Sequence, residues 1–530
     1  MTDTAPDPHS PWAPLRRPLF RALWIATLVS NIGTWMHEVG AGWLMVTLDP
    51  SPMMVAFVQA ATALPAFFLA LPAGALADIL DRRRYLLATQ SWMLACAALL
   101  GGLTLAGSIQ AWSLLAFTFA LACGAAMMTP AWAATVPELV PREALHAAIA
   151  LNSTGVNVAR AVGPAIAGVL VAWAGPSVAF LLNAASFLGV MVVLVRWRRP
   201  PPDAELPPES FFGAMRAGLR YVRAAPRLQA VMVRALAFFL FGSAIWSLLP
   251  LVARGTGGGA QMYGVLLACI GAGAVSAALT LPRLRLRWTR DGLVRGASVL
   301  LALAMLLSAL ARSPMVLIPA MLLTGVSWLS VLSTLHVSAQ TAVPAWVRAR
   351  ALAVYLVMFS LGMTGGSILW GAIASRSSVA VALVVAALGS LVALLLTRGF
   401  SLGGQDMADG GPSVAWPAPV TQADIAPDRG PVLVTVEYRV APENGPAFAA
   451  AMQELRRVRR RDGAMLWGLF HDASDEERYV ETFLVESWME HMRQHHRATT
   501  GDQAINERVR AFHRGDEAPR VSHLVATAPT

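Results

Sequence analysis

The chain has 530 residues, of which 56% are hydrophobic and only 14% are charged, and its formal net charge is +10. Its mean hydropathy is +0.56. A soluble globular protein has about 25% charged residues, so this composition excludes that class and predicts a membrane protein.

Runs of mostly apolar residues repeat between residues 19 and 397. Each run is about 20 or more residues long, enough to cross a hydrocarbon layer of about 30 Å as a helix. The first run is too long for a signal peptide, and residues 1–14 are expected to form a disordered tail. We predict an all-α polytopic membrane protein with twelve transmembrane helices, at 19–47, 53–77, 85–106, 110–134, 145–173, 176–195, 228–252, 261–281, 292–311, 314–338, 349–373 and 378–397.

The arginines indicate how the chain is oriented, because short arginine-rich loops stay on the cytoplasmic side. With the N-terminus inside, about 22 arginines fall on the inner side. Only Arg254, Arg312 and Arg376 fall in the opposite loops. We therefore predict a multi-pass protein of the bacterial inner membrane, with both termini cytoplasmic and with membrane lipids as partners.

Weak internal similarity suggests two repeated halves. The tripeptide Arg21–Leu23 recurs at Arg234–Leu236, and Gly163 falls opposite Gly366. These matches, taken in order, predict six-helix halves at 15–199 and 228–398, joined by a cytoplasmic linker at 200–227. Such an architecture places a substrate cavity between the halves, near the bilayer midplane.

The stretch "GALADILDRRR", residues 74–84, places charge directly after the second apolar run. It resembles the signature between the second and third spans of the major facilitator superfamily, in which a glycine, an aspartate and a basic cluster lock the inner gate. Gly74, Asp78, Arg82 and Arg83 match, whereas Ile79 and Asp81 depart from the usual basic residue and glycine. The alternative is that these arginines serve only to orient the chain.

The stretch "ARAVGPAIAG", residues 159–168, resembles the glycine- and proline-rich signature of antiporters in the same superfamily. Gly163, Pro164 and Gly168 match, and alanines replace two glycines. A proline among small residues bends a helix and lets a neighbour approach closely. An ordinary tight helix contact is the alternative interpretation.

Most of residues 15–398 resemble the branch of the superfamily that contains the bacterial enterobactin exporter and the transmembrane secretion effector proteins. The resemblance rests on stretches such as "FRALWIATLVSNIGTWMHEVGAGWLM" and "PAWAATVPELVPREAL". It implies secondary active export of a small molecule, a siderophore, a drug-like compound or a secondary metabolite, driven by proton antiport through alternating access.

Ionisable residues inside predicted spans are the candidates for coupling, because such residues are costly in a membrane and usually face a cavity. His37 and Glu38 lie in the first span and are candidates for proton exchange. Arg160, in the fifth span, is predicted to lie in the central cavity or to pair with a carboxylate. For Glu38 an interfacial position is the alternative, and for Arg234 a structural role is favoured.

The chain changes character after residue 398, where a Gly/Pro-rich linker at 399–430 precedes about one hundred soluble residues. Alternating and helical patterns in 431–530 predict the order βαββαβ, including a helix at 487–513, and hence an α+β ferredoxin-like domain. This domain resembles the dimeric α+β barrel group that includes antibiotic-biosynthesis monooxygenases. The resemblance implies a homodimer whose open sheet faces meet.

Five side chains of this domain could line a small pocket: His471, Trp488, His491, His495 and His496. A monooxygenase-like domain that modifies or binds the cargo is therefore the alternative function. We expect a transporter and not an enzyme, with protons as the coupling ion and with no cofactor, no metal and no nucleic-acid partner. The nucleotide-binding signature G-x-x-x-x-G-K-[ST] does not occur, which disfavours an ATP-driven pump.

Overall fold

The computed structural model describes residues 12–197, 225–311, 313–344, 348–403, 425–426, 428–497, 499–515 and 517–527. Most of the predicted N-terminal tail, of the linker at 200–227 and of the linker at 399–430 lies outside these residues. Ten side chains within the ranges are also not described: Leu71, Ala75, Asp78, Ile79, Arg142, His146, Ala349, Arg350, His496 and Arg497.

The described residues before residue 400 form twelve helices of 18 to 31 residues. They are α1 (Pro18–Leu48), α2 (Pro52–Ile79), α3 (Arg82–Leu105), α4 (Ala111–Leu139), α5 (Leu145–Ala174), α6 (Pro176–Arg196), α7 (Pro226–Gly255), α8 (Gly259–Arg285), α9 (Arg290–Leu310), α10 (Pro314–Thr341), α11 (Arg348–Arg376) and α12 (Val379–Leu396). Each overlaps one predicted span, and several continue for a few residues beyond it.

Eleven of these helices are long and apolar enough to cross a membrane. Helix α1 is not among the eleven, although it is the longest; it carries Asn31, His37 and Glu38 within its apolar sequence. The described part of the chain is thus a mostly helical, multi-pass membrane protein with eleven candidate spans.

Local sequence explains where several helices begin. Proline occupies the first turn of α1, α2 and α6, where its missing N–H has no helical partner to lose. The side chains of Ser51, Asp81 and Thr289 accept hydrogen bonds from the backbone at the starts of α2, α3 and α9. The backbone N–H of Arg84 donates to Asp81 Oδ1 at 2.8 Å, so the aspartate of the "DRRR" sequence serves as a helix cap.

The described residues group into two compact units. One lies within Met1–Pro207, Met232–Leu335 and Tyr355–Phe400, and the other within Pro208–Val231, His336–Val354 and Ser401–Thr530. In the first unit, helices α1 to α6 pack around three apolar clusters at successive depths. Typical members of these clusters are Leu86, Ala97 and Leu100, all buried on α3.

Helices α5 and α8 join the two halves through small residues. A Cβ atom added to Gly271 would lie 2.6 Å from the Cα atom of Ala161 and 2.9 Å from the carbonyl oxygen of Arg160. Only glycine permits backbones to approach this closely, as in other membrane helix pairs.

The second unit contains a four-stranded antiparallel sheet in the order β2-β3-β1-β4. Its elements are β1 (Val432–Arg439), α13 (Gly445–Asp462), β2 (Leu466–His471), β3 (Arg478–Val485), α14 (Trp488–Arg497), α15 (Thr500–Arg510) and β4 (Arg520–Val525). The prediction of one helix at 487–513 is wrong in detail, because Thr499 and Asp502 form a capping box that starts a second helix.

One face of this sheet is buried and the other is open. Val434 and Tyr438 of β1 and Phe483 and Val485 of β3 are at most 2% exposed and pack with Phe448 of α13. Strand alternation therefore places Leu466 and Phe470 of β2 on the opposite face, where they are 64% and 58% exposed.

Candidate functional site

Arg160 and Glu38 lie close together where α1 and α5 meet. The guanidinium carbon of Arg160 is 5.7 Å from the centroid of the Trp35 ring, one turn before Glu38 on α1. The Glu38 carboxylate and the Arg160 guanidinium attract each other electrostatically. Among the described residues, however, Arg160 has no ion pair, and its Nε and Nη1 atoms are buried without a hydrogen-bond partner.

Tyr263 of α8 brings a hydroxyl group to the same region. A Cβ atom added to Gly42, one turn after Glu38, would lie 2.8 Å from the Tyr263 hydroxyl oxygen. The Tyr263 side chain is buried, and the hydroxyl is electrostatically coupled to Glu38. The C-terminal half therefore contributes a polar group beside the carboxylate of the N-terminal half.

A chain of aromatic rings extends from Trp35 across the two halves. The ring centroids of Trp35 and Trp246 of α7 are 6.5 Å apart, and those of Trp246 and Trp328 of α10 are 5.1 Å apart. The series continues to Phe239, whose ring centroid lies 5.3 Å from that of Trp328 and 4.5 Å from that of Phe359. Trp246 Nε1 is buried and has no hydrogen-bond partner in the described chain. The prediction from sequence did not single out these aromatic residues.

The structure separates His37 from this cluster. The His37 side chain is 3% exposed, and its ring centroid lies 4.7 Å from that of Phe180 on α6. Both ring nitrogens are buried with no hydrogen-bond partner among the residues described. His37 thus packs within the N-terminal half, whereas Arg160 lies over Trp35 at the start of the aromatic chain and interacts with Glu38 electrostatically.

The residues of the predicted gate motif make contacts at the ends of α3, α4 and α6. Arg82 pairs with Glu138 of α4 and donates to the carbonyl oxygen of Ala134 at 3.2 Å. Arg83 donates to the carbonyl oxygen of Leu194 on α6 at 2.9 Å. The Asp78 side chain lies outside the described set.

Two features of this motif differ from the sequence reasoning. A Cβ atom added to Gly74 would meet no described atom within 4 Å, so close helix approach does not explain that glycine. Glu138 was not predicted, although the only signal for it, a carboxylate in "PELVP" at the end of a span, is visible in the sequence.

The antiporter-like motif packs α5 against two different helices. A Cβ atom on Gly163 would lie 2.7 Å from the Trp35 Cβ atom, and one on Gly168 would lie 2.9 Å from the Gly264 Cα atom of α8. The Pro164 carbonyl oxygen also faces Gly264. The motif is thus a tight helix contact that also positions Trp35 beneath Arg160.

Arg234, at the start of α7, has the structural role that the sequence favoured. It forms an ion pair of 2.9 Å with Asp291 of α9 and donates to the Phe400 carbonyl oxygen at 2.7 Å. Its side chain is 3% exposed. A small cavity beside it is lined mainly by apolar residues of α7, α9 and α12.

Three of the five predicted pocket residues of the C-terminal domain cluster together. Trp488, His491 and His495 lie on α14 beside His523 of β4, with the His491 and His523 ring centroids 4.7 Å apart. Burial, His523 and His495 together lower the pKa of His491 to about 3, so the imidazole is neutral at physiological pH. His471 is elsewhere, stacked on Tyr479 in the β2–β3 hairpin, and the His496 side chain is not described.

The described residues contain no group of three or more His, Cys, Asp or Glu side chains arranged to hold a metal. The buried charges of this domain instead form an ion pair between Arg459 and Glu481, with Nε–Oε1 at 3.0 Å. Trp467 Nε1 donates to the same carboxylate oxygen at 3.0 Å, so the pair is held by hydrogen bonds between α13 and the sheet.

Among curated proteins, the chain is similar to the Staphyloferrin A transporter of Staphylococcus aureus, with 24% identity over 255 residues, 48% of this chain and 64% of that protein. It is 29% identical over 185 residues to the multidrug efflux pump Tap of Mycobacterium tuberculosis, covering 32% of this chain and 42% of the pump. The chain thus spans less than two thirds of the length of these relatives.

Solved transporters show the same fold. A bacterial homologue of the human lysosomal transporter Spinster, inward-facing and unoccupied, superposes with a TM-score of 0.58 at 17% identity, covering 75% of this chain and 97% of the homologue. The nucleoside transporter NupG superposes with a TM-score of 0.56 at 14% identity, covering 72% of this chain and 98% of NupG.

The family described as "Transmembrane secretion effector" matches residues 9–530, which include the C-terminal sheet as well as the helices. With this match over nearly the whole chain, and with the helical fold of major facilitator transporters, the protein belongs to the Transmembrane secretion effector family of transporters.

Proposed function

We propose that the protein is a secondary active exporter of a small molecule, a siderophore, drug-like compound or secondary metabolite, across the bacterial inner membrane. The observation that carries the proposal is the Glu38–Arg160 cluster beside an aromatic chain built from both halves. Ionisable groups within membrane helices are energetically costly, and those that occur usually serve the pathway of a substrate or an ion. The printed names of two relatives, a siderophore transporter and a multidrug efflux pump, support the same class of cargo.

Proton antiport is the proposed coupling, with Glu38 as the residue that gains and loses the proton. A carboxylate loses its charge when it is protonated, so its exposure can change between the two sides of the membrane at little energetic cost. Arg160 keeps its charge at all accessible pH values and so attracts the ionised form of Glu38. His37, packed on Phe180, is the second candidate.

Alternating access is proposed to occur between the two six-helix halves. Arg254 of α7 donates to the Val46 carbonyl oxygen of α1 at 3.2 Å, and Ala56 of α2 packs against Gly371 of α11. These contacts join the halves at the ends of the helices that the arginine distribution assigns to the outside. Opening outward would require breaking them, while Arg82, Arg83 and Asp78 would form the inner gate with both termini in the cytoplasm.

An efflux assay with a matched pair of carboxamide variants tests the proposal. A strain that expresses the protein is grown with siderophores and toxic compounds, with and without a proton uncoupler, to identify an exported compound. Glu38→Gln is expected to abolish uncoupler-sensitive efflux, whereas Glu143→Gln, outside the membrane helices, serves as the control. Uncoupler-sensitive efflux at the wild-type level in Glu38→Gln would remove this residue from the coupling mechanism.

For the C-terminal domain, we infer a ferredoxin-like fold that associates as a homodimer and has no catalytic role. The strand order β2-β3-β1-β4 with helices on one face supports the fold, and the uncovered Leu466, Phe470 and Leu524 support the pairing. A second copy would cover these residues with an identical apolar surface. The cavity, the gate and the coupling residues all precede residue 398, so transport is proposed to proceed without this domain.

A further inference from the structure

We infer that the exported compound is an organic anion with a planar unsaturated group, and that Arg160 binds its anionic group. This inference rests on the proposed export function and specifies its substrate class. It follows from the hydrogen-bonding balance of the cluster around Arg160, whose described members come from α1, α5, α7 and α8.

Three buried donor atoms of the cluster have no acceptor among the described residues. Arg160 Nε, Arg160 Nη1 and Trp246 Nε1 are donors only, and none has a hydrogen-bond partner in the described structure. Glu38 attracts Arg160 but does not form an ion pair with it. Because a buried donor without an acceptor is costly, a ligand that brings acceptors is favoured over one that brings further donors.

A guanidinium group favours a carboxylate or a phosphate, since its planar fork donates two parallel hydrogen bonds to such groups. Arg160 also lies over the Trp35 ring at 5.7 Å, which restricts the orientation of the fork. A cationic ligand would bring further donors and repel Arg160, and a neutral ligand would accept hydrogen bonds without adding a compensating charge.

The aromatic chain accounts for the planar group. The ring centroids of Trp35 and Trp246 are 6.5 Å apart with an interplanar angle of 38°, so a second indole ring lies next to the one that the guanidinium covers. Stacked and tilted aromatic pairs are stabilised by about 0.5–1.5 kcal/mol beyond the burial of their area. A flat conjugated ligand can therefore contact indole faces while its anionic group reaches Arg160.

Thermal stabilisation of the purified full-length protein by four probes tests the inference. The probes are 2-naphthoate, the neutral 2-naphthamide, the cationic 2-naphthylmethylammonium and the non-aromatic cyclohexanecarboxylate. A ligand that binds only the folded state stabilises it by RT ln(1 + [L]/Kd), so at equal concentration the tighter ligand raises the unfolding temperature more. We expect 2-naphthoate to bind about tenfold more tightly than each of the other three probes. Each of the three lacks either the charge-assisted hydrogen bond or the aromatic contact, and the loss of one such interaction weakens binding by about that factor.

Two variants of Arg160 and one control variant locate the effect. Arg160→Gln is expected to remove the preference for 2-naphthoate over 2-naphthamide, and Arg160→Lys to retain part of it, while Arg21→Gln on the exposed surface of α1 leaves it unchanged. Equal binding of acid and amide by the wild-type protein, preference for the cation, or no saturable binding of 2-naphthoate would overturn the inference. The uncoupler-sensitive efflux assay is independent of these probes. If the probes fail, the proposal of proton-linked export still stands; if no uncoupler-sensitive efflux is found, the export proposal itself is wrong.

Discussion

Gly264 of α8 faces Gly168 of α5 so closely that a Cβ atom on Gly264 would lie 2.5 Å from the Gly168 Cα atom. Real side-chain carbons do not pack at this distance, so the contact between the two halves depends on the absence of side chains at both positions. Gly168 is the last matching residue of the antiporter-like motif. The sequence motif and the joint between the halves are therefore the same feature.

Gly264→Val is expected to reduce efflux about fivefold or more, because overpacking of a helix contact costs about 1–3 kcal/mol. Gly189→Val is the matched control, since a Cβ atom there meets nothing described within 4 Å. Efflux per molecule is measured at equal membrane levels of the variants. Equal efflux by Gly264→Val and Gly189→Val would show that the close contact is not needed for transport.

The gate arginine is expected to matter more than its carboxylate partner. Arg82 contacts Glu138 and the carbonyl oxygens of Ala134 and Ala77, so Arg82→Ala loses all of these interactions, whereas Glu138→Gln weakens the ion pair. A partly exposed ion pair contributes only about 0.2–1 kcal/mol. We expect lower efflux for Arg82→Ala than for Glu138→Gln and no change for the exposed Arg84→Ala; the reverse order would exclude the carbonyl contact from the gate.

Glu481→Gln is expected to destabilise the C-terminal domain by about 3–5 kcal/mol, because it removes the carboxylate charge that pairs with the buried Arg459 guanidinium. The control is Glu437→Gln, which alters a half-exposed pair with Arg478 on the open face of the same sheet. Limited proteolysis of the full-length protein, followed by mass spectrometry of the 431–530 region, reports the difference. Similar cleavage rates for the two variants would contradict the structural role of the buried pair.

Acid is expected to destabilise the C-terminal domain through His491. The folded state lowers the pKa of His491 to about 3, so between that value and an unfolded pKa of about 6.5 the unfolded chain binds more protons. This contribution to stability is therefore complete above pH 6.5 and is lost as the pH falls, by up to about 1.4 kcal/mol per pH unit.

Hydrogen exchange of α14 and β4 peptides, corrected for the intrinsic pH dependence of exchange, measures this loss in the full-length protein. His491→Leu should flatten the dependence between pH 6.5 and pH 5, whereas His471→Leu, in the exposed β2–β3 hairpin, should not. A steep dependence that survives in His491→Leu would assign the acid sensitivity to another group.

The open sheet face is expected to hold two copies of the chain together. The double substitution Leu466→Glu and Phe470→Glu places like charges at the centre of the proposed interface and should convert a dimer to a monomer. Gln453→Glu, on the exposed side of α13, is the control. Native mass spectrometry of the detergent-solubilised protein measures the state, and a wild-type monomer would end the proposal.

Removal of residues 405–530 should leave efflux unchanged at equal membrane levels, because the proposed gate and coupling residues lie in the helices. Complete loss of efflux in a correctly inserted truncated chain would instead show that the C-terminal domain takes part in transport.

The sequence alone determined the membrane class, the positions of the helices before residue 400 and the strands of the C-terminal domain. These follow from hydrophobic length and from periodicities of 3.6 and 2, which each segment carries by itself. Strand alternation also placed Leu466 and Phe470 on one face, but it could not decide which face of β3 is open. Phe483 and Val485 are as apolar as Leu466 and Phe470, and only the structure shows that they pack in the core with α13.

Only the tertiary structure decided which polar residues meet. Glu38 and Arg160 are 122 positions apart in the sequence, and the adjacent His37 and Glu38 point to different neighbours because successive residues of a helix face different sides. The partners Tyr263 and Trp246 carry no local signal of their role, since each is defined by a contact between helices. Packing between segments, which a pattern within one segment cannot encode, fixed the candidate site.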